Sequence, residues 1–270
     1  MRSAQLLTSS CAVLCAALIA TPASASIIDD FNSATLITDF QFDDPLGTAI
    51  ESVANSADPA APFDSDADFS AAATNGLGQF DGSGKDNTSF GSVYSDIAAL
   101  SSGRVLALYD VTWAFDEQIF DPSQDEEFRL SLIREDPRST FVTGETFFVR
   151  SSATEVELRG NAVGTGSVDT PTVTLGSSGS LLTILDVDLD ADTIELWYSA
   201  DGGASFVSTG AGSIDPTRGV ESVRLVLNED FSDDTLLIER FAVAVIPEPT
   251  SLATLALGCL AAACVRKSGR

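Results

Sequence analysis

Thr193-Ile194-Glu195-Leu196-Trp197-Tyr198-Ser199 leads through Ala200 into Asp201-Gly202-Gly203 and out along Ser205-Phe206-Val207. The first seven residues are β-branched, aromatic or aliphatic at nearly every other position, which suits a pleated, half-buried surface. Asp-Gly-Gly then supplies the positive-φ residues that a hairpin turn demands. The stretch therefore reads as strand, turn, strand. Neighbours in a strand point to opposite faces, so Trp197 and Tyr198 are not expected to line one groove.

Working outward, the same grammar repeats. Residues 104–115 form a long β-prone run, and 127–133 alternate, with Phe128, Leu130 and Leu132 on one face and Arg129, Ser131 and Ile133 on the other. Further strands are expected over 146–150, 155–159, 172–175 and 181–189, with 220–227 and 235–245 as a final pair. Residues 26–103 are less regular. A first strand is expected at 37–42, an acidic surface loop at 55–68, and a short glycine-punctuated strand at 76–82. Strands at this spacing without a convincing helix predict an all-β fold, a two-sheet antiparallel sandwich.

The two ends have a different composition. Arg2 precedes an apolar segment from Cys11 to Ala20; Pro22 then breaks it, and Ala23-Ser24-Ala25 fits a small-residue cleavage site. Residues 1–25 are thus expected to be a signal peptide, removed by signal peptidase to leave Ser26 as the first residue. At the other end Pro247-Glu248-Pro249 introduces an apolar run, Thr250 to Val265, and a basic finish that includes Arg266 and Lys267. That run covers roughly 24 Å as a helix against a hydrocarbon core of ~30 Å. Ile246 and snorkelling of Arg266 and Lys267 make up the difference, and the basic cluster is expected to stay cytoplasmic.

Pro-Glu-Pro, a hydrophobic segment and a basic tail in that order resemble the PEP-CTERM sorting signal of exopolysaccharide-producing Gram-negative bacteria. The resemblance implies a transient transmembrane sorting helix over 247–270 and processing by an exosortase. A single domain, 26–246, is left between the two signals, exported across the inner membrane to the cell surface or beyond.

All four cysteines lie in the end segments (Cys11, Cys15, Cys259, Cys264), and the chain has no histidine. Disulfides, thiolate chemistry, Ser-His-Asp triads and ordinary zinc sites are excluded from the body by inventory. Setting aside Glu248 from the 40 acids and Arg2, Arg266, Lys267 and Arg270 from the 14 bases leaves 26–246 with a formal charge of −29. Nucleic acid needs the opposite sign and is excluded as a partner.

Residues 181–245 resemble the C-terminal half of concanavalin A-like (laminin G-like) jelly rolls. The likeness rests on an acidic strand end, the Glu195-Leu196-Trp197-Tyr198 hairpin with Asp201-Gly202-Gly203, and a closing Leu236-Leu237-Ile238-Glu239-Arg240-Phe241 strand. It implies a jelly-roll sandwich. The glutamate-aspartate-glutamate string of retaining jelly-roll glucanases does not occur.

Three sets of residues invite a chemical reading. Asp186, Asp188, Asp190 and Asp192 stand at every second position and present an oxygen-rich edge for calcium. They match no EF-hand, and the alternative is a strand with an acidic solvent face. Glu155 and Glu157 share a strand face at a spacing compatible with a retaining carboxylate pair, although Arg150 and Arg159 beside them favour a charge-balanced surface. Trp113 and Trp197 are candidate sugar-stacking residues. The expectation is an exported, non-enzymatic envelope or matrix protein that associates with polysaccharide and needs no cofactor, calcium being the alternative. A specific lectin-like module, or a divergent carboxylate-dependent glycoside hydrolase or lyase, are the competing readings.

Overall fold

A computed structural model describes residues 26–43, 48–49, 52–65, 73–74, 90–116, 127–134, 142–228 and 235–246. They form one short helix, α1 (Ile27–Ser33), and fifteen strands: β1 (Thr35–Gln41), β2 (Thr48–Ala49), β3 (Asp64–Ser65), β4 (Ala73–Thr74), β5 (Phe90–Leu100), β6 (Arg104–Ala114), β7 (Glu127–Ile133), β8 (Val142–Arg150), β9 (Glu155–Asn161), β10 (Val173–Gly176), β11 (Ser178–Asp188), β12 (Thr193–Ser199), β13 (Val207–Ser213), β14 (Val220–Asn228) and β15 (Thr235–Ile246). Two antiparallel sheets dominate. One has the order β1-β15-β6-β11-β12-β13, the other β10-β9-β8-β7-β14-β5-β3, and β2 pairs separately with β4.

The core lies between the sheets because one alternate set of residues on each strand is apolar. From the six-stranded sheet come Val105, Ala107, Tyr109, Val111, Trp113, Leu185, Val187, Ile194 and Leu196; from the seven-stranded sheet come Phe128, Leu130, Leu132, Phe148, Val223 and Leu225. Aromatic edges interlock across the gap, Tyr109 on Phe128 at 5.6 Å and Trp113 on Phe148 at 5.2 Å between centroids. At one side Phe40 stacks on Phe63 at 3.8 Å, tying β1 to the segment before β3.

The 193–207 hairpin forms where the sequence places it: β12 pairs β13 with Trp197 opposite Ser208 and Tyr198 opposite Val207. Its turn is internally fixed. The Asp201 carboxylate accepts from the Ser199 hydroxyl, the Ser205 hydroxyl and the Ser205 amide, which holds it well below the usual carboxylate range. Gly202 and Gly203 take positive φ, 70° and 91°, as the turn requires.

Three features depart from expectation. The final two strands do not pair: β14 lies between β7 and β5, and β15 between β1 and β6. Both present apolar alternation to the core from opposite sides, and alternation alone does not say from which. The supposedly less regular region contains the eleven-residue β5, whose small residues obscure its period. The third is α1, which has a capping box: the Ser26 hydroxyl accepts from the Asp29 amide while the Asp29 carboxylate faces the Ser26 backbone N–H.

Helix α1 has a clear purpose in the fold. Its Ile27 and Phe31 pack onto Leu106, Leu108, Ile184, Ala242 and Ala244, the outer face of the six-stranded sheet. Arg104 clamps it there, donating to Asp30 at 2.7 Å from one side of its guanidinium and to Asp186 at 2.6 Å from the other. The acidic loop is also partly built in. Asn55 is buried, takes the Asp39 amide at 3.0 Å and donates to the Ala61 carbonyl at 3.0 Å. The strand expected at 76–82, the signal peptide with Ala23 and Ala25, and the sorting segment with Pro247, Glu248, Pro249, Arg266 and Lys267 lie outside the described residues. Among the described residues no helix is long and apolar enough to cross a membrane.

Candidate functional site

The outer face of the seven-stranded sheet is the opposite of an apolar surface. Residues that point away from the core on β7, β8, β9 and β14 are brought into rows by the antiparallel register. One row runs Tyr94, Arg224, Ser131, Glu145, Asn161; the next runs Val226, Arg129, Phe147, Arg159. No two of these strands other than β7–β8 and β8–β9 are consecutive neighbours in both sequence and sheet, so the rows are a product of topology.

Glu145 is the anchor. Its side chain is 1% exposed although it sits on an outer face. A buried carboxylate is tolerated only when paired and hydrogen-bonded. Here the Ser131 hydroxyl donates to one oxygen at 2.8 Å and the Asn161 amide to the other at 2.6 Å. The Arg224 guanidinium lies 3.5 Å away and also donates to Ser131 at 3.1 Å; Arg129 approaches to 3.9 Å. Arg129 in turn donates to the buried Glu127. Two shielded carboxylates thus hold two guanidiniums in fixed orientation.

Phe147 stands between arginines supplied by the strands on either side of it. The Arg129 guanidinium carbon is 4.6 Å and that of Arg159 is 4.2 Å from the ring centroid, both within cation–π range. Arg159 is tied more loosely than Arg129. Its nearest carboxylates are Asp169 at 3.5 Å and Glu157 at 3.6 Å, and its Nε is buried without a hydrogen-bond partner.

The residues singled out from sequence distribute elsewhere. Trp113 is a correction: it is 3% exposed in the core, its indole N–H donates to the Gly176 carbonyl at 3.0 Å, and it is unavailable to a ligand. The opposing Gly179 permits this, since a Cβ there would lie 2.7 Å from the indole ring. Trp197 and Tyr198 do part to opposite faces. Tyr198 packs on the main core, while Trp197 is half-buried with Leu182 and Phe206 on the side that α1 covers.

The acidic run does not converge. Asp186 is buried against Arg104; desolvation pushes its carboxyl above the usual range despite the pull of the guanidinium. Asp188 caps the turn, accepting from the Asp190 and Ala191 amides at 3.0 and 2.9 Å; Asp190 accepts from the Gly103 amide at 3.0 Å; Asp192 supplies the positive-φ residue of the same turn. Among the described residues no group of three or more acidic side chains is arranged to hold a metal ion. Glu155 and Glu157 share the outer face, but Glu157 pairs with Arg159. Arg150 does not join them: it turns to the core side, lies 5.3 Å from the Phe115 ring centroid and donates to the Asp116 carbonyl at 2.6 Å.

Arg129, Glu145, Asn161 and Arg224 were not legible as a site. The one available signal was the polar face of the 127–133 alternation, which placed Arg129 and Ser131 together.

No family model and no curated protein matches the chain. Solved structures that are similar include the CBM2 module of Lactobacillus casei BL23 phage J-1 evolved Dit (9% identity over 79% of this chain and 97% of that one, TM-score 0.46). Lectin II from Ulex europaeus (9%, 67% and 91%, TM-score 0.41) and the T. cruzi calreticulin globular domain (11%, 79% and 89%, TM-score 0.41) are others.

Proposed function

We propose that this chain is an exported, non-enzymatic glycan-binding module of the cell envelope or exopolysaccharide matrix, built as a jelly-roll sandwich. The observation that carries it is the outer face of the seven-stranded sheet. Guanidinium, amide and hydroxyl groups stand there around Phe147 on a rigid strand scaffold, already oriented by Glu127 and Glu145. Polar groups fixed in place around an aromatic suit a hydroxyl-rich ligand, because little ordering remains to be done on binding. The two carboxylates support binding over catalysis. A glycosidase acid or nucleophile has to touch the scissile bond, whereas Glu127 and Glu145 are buried among their partners.

Sorting by the PEP-CTERM route is part of the same proposal. Ser26 is the N-cap of α1, so cleavage after Ala25 keeps the capping box intact. Strand β15 ends at Ile246, so removal of the tail from Pro247 onward spares both sheets. Intact mass of the extracellular protein tests this: a start at Ser26 and loss of the basic tail are expected, and Arg270 on that species refutes it. A glycan array probed with the purified protein tests the binding role. Saturable binding that falls at least about tenfold, 1.4 kcal/mol, in Phe147→Ala is expected; the absence of any bound glycan overturns it.

A further inference from the structure

The sheet face also bears on which glycans fit, and the inference rests on the binding role just proposed. A chain of net charge −26 with arginines grouped on one face invites the reading that the face captures anionic polymers such as polyuronates. The surroundings of the three guanidiniums argue otherwise. Arg129, Arg159 and Arg224 are accompanied on that face by Glu127, Glu145, Glu157 and Asp169, so the patch itself is not cationic.

The part of the face with open carboxylates is the end around Arg159. Its side chain is 24% exposed, and the two carboxylates beside it, Glu157 at 39% and Asp169 at 40%, are the most open acids of the group. Neither forms a hydrogen bond with it: Nε faces an Asp169 oxygen at 3.5 Å and Nη1 a Glu157 oxygen at 3.6 Å. One Asp169 oxygen is occupied by the Ala162 amide at 3.1 Å; the other faces Arg159. Thr174 is exposed on the neighbouring edge strand, directly opposite Glu157. Arg159 N–H groups not committed to hydrogen bonds therefore alternate with carboxylate oxygens that have spare lone pairs.

A sugar carboxylate accepts but cannot donate, so it would satisfy Arg159 while meeting Glu157 and Asp169 as like charges. Each hydroxyl of a neutral sugar donates and accepts at once. Two vicinal hydroxyls can accept from the planar Arg159 fork and donate to Glu157 and Asp169 in the same pose. We infer that the Glu157–Arg159–Asp169 end of the seven-stranded sheet recognises vicinal hydroxyl pairs of neutral pyranoses, and discriminates against uronic acids.

The test is binding of the full chain to neutral polymers (dextran, mixed-linkage β-glucan, galactomannan) and to polyuronates (alginate, polygalacturonate), at 0.05 and 0.5 M NaCl. Expected is saturable binding to at least one neutral polymer, changed less than about twofold by salt because few charges are screened, with no binding to polyuronate. Arg159→Lys, which keeps the charge and removes the fork, and Asp169→Asn, which removes a like-charge barrier, complete the test. Arg159→Lys is expected to weaken neutral binding at least about tenfold with an unchanged circular dichroism spectrum, and Asp169→Asn to admit polyuronate. Salt-sensitive binding to polyuronate alone by the unaltered chain overturns the inference and leaves the glycan-binding role standing. No binding to any polymer overturns both.

Discussion

The two outer faces of this sandwich are built by the same rules and end differently. On the six-stranded sheet the outward residues Leu106, Leu108, Ile184, Ala242 and Ala244 form an apolar patch, and the chain covers it with its own helix, α1. On the seven-stranded sheet the outward residues are Arg129, Ser131, Glu145, Phe147, Arg159 and Arg224, which form a network among themselves. An apolar face is stabilised by being covered, whereas a polar one has to satisfy its buried groups locally and can remain open beyond them. The contrast supports the proposal that recognition belongs to the seven-stranded face.

The hardest blow falls on neither face but on the core they share. Trp113→Ala removes an indole packed on Phe148 and Gly179, and should cost about 3–5 kcal/mol. Urea unfolding of the variant should show it, and any loss of glycan binding would accompany global unfolding. A folded Trp113→Ala that binds nothing would restore that residue to the binding site.

Glu145→Gln should come next. It removes the charge that Arg129 and Arg224 face while keeping the shape, and a cost of about 2 kcal/mol follows from weakening a buried charge-assisted network. The midpoint of chemical denaturation measures it. A change confined to within experimental scatter would mean that the polar face is not a single network.

On the covered face, Arg104→Ala should free α1 from its clamp. Asp30 is open to water and loses little, whereas Asp186 is left buried without its guanidinium, so about 2 kcal/mol of global stability is at stake. Hydrogen exchange should accelerate first in residues 27–33, with the seven-stranded sheet unaffected. Exchange rising equally on both faces would contradict the division.

The smallest effect is on acid stability. Asp215 caps the turn between β13 and β14, accepting from the Thr217 amide at 3.0 Å, the Thr217 hydroxyl at 2.8 Å and the Thr165 amide at 3.0 Å; these hold its carboxyl below the usual range. A carboxyl depressed in the folded state stabilises fully above its unfolded value near 3.9, and the benefit is lost as pH falls toward the folded value. Asp215→Asn should therefore narrow the difference in stability between pH 6 and pH 3, read as two thermal midpoints.

How much of this was legible in the sequence follows from the range of each signal. Alternation is local, so the strands at 104–115, 127–133 and 193–199 could be placed within a residue or two, and the split of Trp197 from Tyr198 followed from period two alone. Sheet membership is not local. Strands β14 and β15 carry equivalent alternation yet enter different sheets, and Trp113 alternates like a surface aromatic would. Helix α1 has only seven residues, too few for a period, and its capping box was the one mark it left. The Glu145 network needs three strand registers at once, and no linear pattern encodes those.

The claim at the centre is that recognition belongs to the seven-stranded face and not to the covered one. Its most direct test is one binding isotherm per face, on the glycan that the unaltered protein binds: Arg159→Ala on the polar face against Trp197→Ala on the side of the sheet that α1 packs against. The account predicts that Arg159→Ala abolishes saturable binding at unchanged fold and that Trp197→Ala leaves the affinity within about twofold, under 0.5 kcal/mol. Loss of binding in a folded Trp197→Ala, with Arg159→Ala still binding, would contradict it.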